Sequence, residues 1–311
     1  MNRKDKKINI PPLIMGTVAL GISYGVFEGQ KRPEIKASLH MLAEAYKQEI
    51  TCFDTAREYG DAETIIGEFV KRNSVSPLII SKFKLSNKDL ENKELALREA
   101  TLSLENSLRE LKLDVLPVLL FHNSSDLDQK QVNSIVPEIM EEFKRRGLIL
   151  HAGLSIDNPS ELKAVIDIST FEIYQIPLNV LDQRLLQDKI WDQLRKSNKT
   201  VIARSVFLKG MLLQEPNTLT GNLVEAKVAL AELQKLADKA QMSIAQFCFS
   251  YVRDLDAVSS IVFGAEDPLQ IMENVKMMYG PVISDEIRKE AESRFKFISE
   301  TILTPRLWKM S

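Results

Sequence analysis

The sequence predicts an α/β fold, a (β/α)8 barrel (TIM barrel) built as one domain over residues 1–311. Three observations carry it. Short apolar, β-branched runs alternate with helical patterns along the whole chain. The alternation gives eight strand–helix units in 311 residues, without a Gly/Ser-rich linker or a break in composition. No Gly-x-Gly-x-x-Gly follows the first strand, which weakens the runner-up, a doubly wound open sheet.

The strands are expected at Leu13–Gly16, Thr51–Thr55, Leu78–Lys82, Val115–His122, Leu148–Ser155, Phe171–Pro177, Thr200–Ser205 and Ser260–Gly264. Between them helical patterns lie near 33–48, 61–72, 93–112, 129–146, 159–168, 187–197, 226–253 and 268–278. In the fourth, Val132, Ile135, Val136, Ile139, Met140 and Phe143 trace one helical face. In the third, Leu97, Leu104, Leu108 and Leu111 do the same.

Composition narrows the function classes. A hydrophobic content of 44%, a charged content of 27% and a net charge of −2 describe a soluble globular chain. They give no electrostatic case for nucleic acid or an anionic membrane. The two cysteines, Cys52 and Cys248, sit in apolar runs and read as buried free thiols of a reducing compartment. A basic Met1–Lys7 followed by apolar Ile10 to Ser23 mimics a secretion signal, yet Pro11, Pro12, Gly16 and Gly21 interrupt it. Cleavage would also remove the first strand, so a cytoplasmic protein is expected, and no run reaches the ~20 apolar residues of a membrane span. Three scattered histidines without a His-x-His offer too few ligands for a metal-dependent hydrolase, and no metal site is expected. His40, in a helix, and His151, inside a strand, read as structural.

The barrel reading brings four polar residues together. Asp54 ends the second strand, Tyr59 lies in the loop after it, Lys82 ends the third strand and His122 the fourth. In such barrels the strand C-termini carry the active site, so three consecutive strands deliver all four to one wall of the mouth. The pairing makes chemical sense. A phenol is a sluggish acid at neutral pH, with a pKa near 10. A neighbouring ammonium favours its phenolate, and a carboxylate keeps that ammonium charged and fixed. A neutral histidine orients a carbonyl through its N–H. Tyr59, Lys82, Asp54 and His122 can therefore deliver a proton to a carbonyl that receives a hydride. Taken singly each has a structural reading: an ion pair, a turn tyrosine, a helix cap.

These residues resemble the aldo/keto reductase superfamily over about Leu13 to Met278. Phe53-Asp-Thr-Ala, Tyr59-Gly60, Glu63 and Gly67 match its most specific motif. Gly16–Gly21, Leu116–His122, Gly153-Leu-Ser155, Tyr174–Asn179, Ile202–Ser205 with Gly210, and Phe263-Gly-Ala with Glu273-Asn274 follow in the family's order. The resemblance implies a (β/α)8 barrel that reduces carbonyls with NAD(P)H, or runs the reverse reaction. The catalytic four it implies are Asp54, Tyr59, Lys82 and His122. It further implies Gly16 and Thr17 beside the cofactor, Ser155 and Gln175 on its carboxamide, and Arg204 against the nicotinamide. Contacts to adenine and phosphates fall on Ser205, Leu208, Gly210, Gly264, Ala265, Gln270, Glu273 and Asn274.

The chain departs from the pattern in three places. Ile156 stands where many members bind the carboxamide with asparagine. Arg204 replaces an aromatic that stacks on the nicotinamide; its charge is expected to favour the reduced form. The segment Gly264–Gln270 carries Glu266, Asp267 and Gln270 and no cation for a 2′-phosphate. NADP(H) is the expected cofactor, a lysine or arginine of the loop near Lys209 approaching that phosphate, with NAD(H) as the alternative. Some segments resemble bacterial members linked to sugar metabolism, so a sugar-like or small polar carbonyl is the expected substrate. Tyr24, Phe27 and Trp308 are candidate pocket walls. The alternative function is a cofactor-binding regulatory or sensing subunit with little turnover.

Overall fold

The computed structural model describes residues 8–25 and 32–309. Strands β1 (Leu13–Gly16), β2 (Cys52–Asp54), β3 (Leu78–Phe83), β4 (Leu116–His122), β5 (Ile149–Ser155), β6 (Ile173–Pro177), β7 (Thr200–Arg204) and β8 (Val258–Phe263) form a closed barrel in sequence order. Each strand is parallel to its neighbours, and β8 closes on β1 through Ile14 opposite Val262. Closure excludes the doubly wound open sheet.

Side chains alternate across a strand, so residues two apart share a face. One set fills the barrel interior: Ile14, Cys52, Ile80, Val118, Leu120, Ile173 and Ile202, with Ile10 packed against them. The alternate set, including Phe53, Ile79, Leu119, Phe121, Leu154, Tyr174 and Val201, packs outward against the helices in the larger core. Two residues beyond the interior apolar layer, at the strand C-termini, come Asp54, Lys82, His122, Gln175 and Arg204. The candidate site is thus the top layer of the barrel's own interior. Its floor is largely apolar, which strengthens every charge interaction above it.

The helices differ from the expectation in three places. The pattern read as continuous over 226–253 breaks into Lys227–Lys239 and Ile244–Arg253, because Gln241 turns to φ 55° and Ser243 caps the Gln246 amide. The crossover expected at 159–168 is a short 3-10 helix, Pro159–Ala164, capped by Asn158 and Glu161. A further helix, Asp285–Arg294, precedes a C-terminal tail that crosses the mouth side. Arg306 there donates to Ser125 Oγ at 2.6 Å, and Asn222 and Lys309 exchange hydrogen bonds. Of the apolar stretch Ile10 to Ser23, residues 13–16 are β1 and 18–21 a short helix. Among the described residues no helix is long and apolar enough to cross a membrane. Cys52 and Cys248 are buried free thiols.

Candidate active site

Lys82 is the centre of the arrangement. Its side chain is 1% exposed, and a buried ammonium persists only when paired. Nζ donates to Asp54 Oδ2 at 2.8 Å and to the Thr55 carbonyl at 2.8 Å. It lies 5.1 Å from the centroid of the Tyr59 ring. Burial pulls its pKa down, but Asp54, and after it Tyr59, outweigh burial and hold it above the ordinary lysine value. Asp54 is fixed in turn: Oδ1 accepts from Gln175 Nε2 at 2.6 Å, and Gln175 Oε1 accepts from Ser155 Oγ at 3.2 Å. The carbonyl of Asp54 accepts from both the amide and the hydroxyl of Thr17, each at 2.9 Å. Gly16 pairs with Asp54 across β1 and β2.

Tyr59 owes its position to two loops whose backbones touch. A Cβ on Gly21 would sit 1.7 Å from Tyr59 O, and one on Gly60 would sit 2.5 Å from Gly21 O. Gly60 also holds φ 57°, a left-handed conformation suited to glycine. Behind the loop lies a partly buried ion cluster. Arg57 Nη1 bonds both Glu63 Oε2 and, at 2.7 Å, Glu110 Oε2; Ser81 Oγ donates to Glu63 Oε1 at 2.5 Å. The Arg57 amide donates to the carbonyl of Lys82 at 3.1 Å, so one loop is tied to both members of the pair.

His122 ends β4 and is mostly buried. Burial, opposed by Glu58 and reinforced by Lys82, Lys84 and Arg204, keeps its pKa below the ordinary value. It is therefore neutral at neutral pH and retains one N–H. Its Nδ1 lies 3.8 Å from Glu58 Oε2, outside hydrogen-bond reach, and has no partner among the described residues. The opposite wall carries Arg204 at the end of β7. Nη2 donates to Ile156 O at 2.8 Å and Asp157 Oδ1 at 2.6 Å, and Nη1 to Ser205 Oγ at 3.1 Å. The Ile156 side chain is buried in the outer core and offers no polar group to the mouth.

Beyond β7 the backbone takes positive φ at Ser205 and then at Leu208, Lys209 and Gly210 in succession. Such conformations cost energy in non-glycine residues and concentrate at ligand sites. Beyond β8, Gly264 and Ala265 lead into the helix Pro268–Met278, where Gln270 Oε1 accepts the Glu266 amide at 2.9 Å and Asp267 caps the Gln270 amide. Asn274 is 4% exposed; its Nδ2 donates to Gln270 O, while its Oδ1 has no partner among the described residues. Glu273, one residue before it, is exposed on the same helix. An unpartnered buried acceptor, a strained loop and a polar rim at neighbouring strand ends fit an extended dinucleotide.

Tyr24 is half-buried, with Lys209 Nζ 5.1 Å from its ring centroid, and borders the site. Burial first, then Tyr59, push its phenol up to about 12. Trp308 Nε1 donates to Ile302 O at 3.1 Å and packs on the outer core, and Phe27 lies outside the described residues. His40 is exposed on its helix, and His151 Nδ1 lies 2.6 Å from Glu172, away from the mouth. The reading from sequence missed Glu58, Asp157 and the Arg57 cluster. Arg57 and Glu63 flank Tyr59 within the motif, which was the available signal.

A model of the aldo/keto reductase family matches residues 12–293. The uncharacterised oxidoreductase YqkF of Bacillus subtilis is 24% identical over 316 residues, covering 94% of this chain and 97% of that protein. Aldo-keto reductase str7 of Strobilurus tenacellus is 24% identical over 284 residues, covering 84% and 81%. Among solved structures, the glycerol dehydrogenase AKR11B4 of Gluconobacter oxydans superposes with a TM-score of 0.71 at 21% identity, covering 92% of both chains. An aldo/keto reductase of Klebsiella pneumoniae in complex with NADP and acetate gives 0.66 at 18%, again over 92% of both. At those identities the structures show the shared fold. With the family match spanning nearly the whole barrel, the chain belongs to the aldo/keto reductase family, oxidoreductases that work with a nicotinamide cofactor on small carbonyl compounds.

Proposed function

We propose that Tyr59 is the proton donor of an NAD(P)H-dependent carbonyl reductase, with Lys82, Asp54 and His122 as its partners. The observation that carries this reading is the buried ammonium of Lys82, held by Asp54 at 2.8 Å and set 5.1 Å from the Tyr59 ring. When bound, the dinucleotide supplies the hydride. Tyr59 gives its proton to the substrate oxygen, and the phenolate left behind is stabilised by Lys82. Asp54 keeps that ammonium charged through the cycle. The neutral imidazole of His122 donates its N–H to the same oxygen and aims the carbonyl. In the reverse direction the phenolate takes the proton back.

Ser155 and Gln175 line the wall opposite Tyr59 and would hold the carboxamide. The bend Ser205–Gly210 would face the phosphates, and Gly264, Ala265, Gln270, Glu273 and Asn274 the adenosine. Family membership favours NADP(H). Lys209, however, lies over Tyr24, and Glu266, Asp267 and Gln270 suit a free ribose diol better than a phosphate. The protein therefore uses NADP(H) and accepts NAD(H), and Gln270→Arg raises the ratio of NADPH to NADH turnover.

The rim supports a polar substrate. Asn87 Nδ2 bonds Asp126 O at 3.0 Å beside Ser124 and Ser125, where Arg306 of the tail also arrives. A sugar-like or small polar aldehyde or ketone suits a rim built of such polar side chains. The test is carbonyl-dependent oxidation of NADPH and NADH over a broad panel of aldehydes and ketones. Turnover concentrated on polar substrates supports the reading; tight cofactor binding with no turnover on any carbonyl replaces it with a sensing role.

A further inference from the structure

The mouth has two walls, and each carries a cation held by a carboxylate. Tyr59, Lys82 and His122 come from β2 to β4 and their loops, while Arg204 and Asp157 come from β7 and β5. A planar ring that hands a hydride to a carbonyl held by Tyr59 and His122 would be held by the second wall. The Arg204 guanidinium is anchored there by Ile156 O, Asp157 Oδ1 and Ser205 Oγ, and its buried Nε has no partner among the described residues. Its charge reaches across the mouth to Lys82, His122 and Tyr24. Arg204 is therefore a fixed cation of that wall, and Asp157, 2.6 Å away, is its counter-charge.

An oxidised nicotinamide ring is cationic and a reduced one is neutral, so only the oxidised form feels this balance. Resting on the nicotinamide-dependent reading above, we infer that Asp157 sets the preference between oxidised and reduced cofactor by cancelling the charge of Arg204. The ion pair thereby offsets the bias toward the reduced form that Arg204 alone would give. Two unit charges about 5 Å apart, in surroundings between those of water and a protein surface, alter an affinity by about fourfold to a few hundredfold. Arg204 is 24% exposed, which places the effect nearer the lower end, about tenfold.

The experiment is calorimetric titration of NADP+, NADPH, NAD+ and NADH into wild type, Asp157→Asn, Asp157→Glu and Arg204→Met. Asparagine keeps an acceptor for Arg204 and removes only the charge. It is expected to raise the ratio of oxidised to reduced Kd about tenfold, less at high salt. Arg204→Met lowers that ratio below wild type. Glutamate, which restores the charge with altered geometry, returns it to within about threefold of wild type even if both affinities change. A ratio unchanged or lowered in Asp157→Asn overturns the inference while leaving the carbonyl-reductase reading intact. Failure of wild type to bind any of the four overturns both.

Discussion

Gly21→Ala places a methyl group where the loop carrying Tyr59 already runs. Gly21 ends a short helix on the β1 side of the mouth and belongs to none of the groups proposed to touch substrate. Its new Cβ would meet Tyr59 O at 1.7 Å and the Ala62 amide at 2.8 Å. Cβ atoms essentially never come within 3.0 Å of such a neighbour, so the two backbones must part by about 1.3 Å. The obstacle is backbone, which cannot swing aside as a side chain can. The Ala62 amide donates to that same Tyr59 carbonyl at 3.1 Å, so the turn and the start of its helix move with it. Overpacking of this kind costs about 1–3 kcal/mol, which the barrel can absorb. A proton donor displaced by about 1 Å loses on the order of 10²-fold in rate. The assay is steady-state carbonyl reduction, with cofactor affinity and thermal melting measured on the same preparations. The expected result is kcat lowered on the order of 10²-fold, cofactor Kd within a few-fold and a melting temperature lower by several degrees. A folded Gly21→Ala protein whose kcat stays within about threefold of wild type refutes the loop-contact argument.

Two other predictions concern charges behind the site. Glu161 is buried beside Asn123 and the Asn158 amide; burial, reinforced by Asp157 against the Asn158 hydrogen bond, pushes it up to about 7 from an ordinary 4.5. A raised carboxyl favours the fold below pH 4.5 and loses that contribution as pH rises through 7. Melting temperatures of Glu161→Gln and wild type should therefore separate in the variant's favour between pH 5 and 8; a constant gap contradicts this. Arg57→Met leaves the fully buried Glu63 without its cation and should cost about 3 kcal/mol in denaturant unfolding. The double variant with Glu63→Met should regain most of that, and a double variant as unstable as the sum of its parts denies the coupling.

The mouth was legible in the sequence because of a period of two. Cys52-x-Asp54, Ile80-x-Lys82, Leu120-x-His122, Ile173-x-Gln175 and Ile202-x-Arg204 each pass from hydrocarbon to a polar group within one strand face. That pattern, repeated at strand ends, marks the layer where a barrel interior meets its opening. The strand limits followed to within about two residues from the short apolar, β-branched runs themselves. Asp157 and Glu58 were not legible, since both lie in loops whose direction no periodicity fixes. The break at Gln241 had a signal in Ser243-x-x-Gln246, a helix-start pattern outweighed by the apolar stripe on either side. The helix Asp285–Arg294 escaped because its charge masks an apolar face of only Ile287 and Ala291.

The central claim is that the phenol of Tyr59 supplies the proton. Tyr59→Phe removes one oxygen and keeps the ring beside Lys82, so cofactor titration should match wild type within about twofold while kcat for carbonyl reduction falls about 10²- to 10⁴-fold. A phenylalanine variant that turns over as fast as wild type would contradict the account.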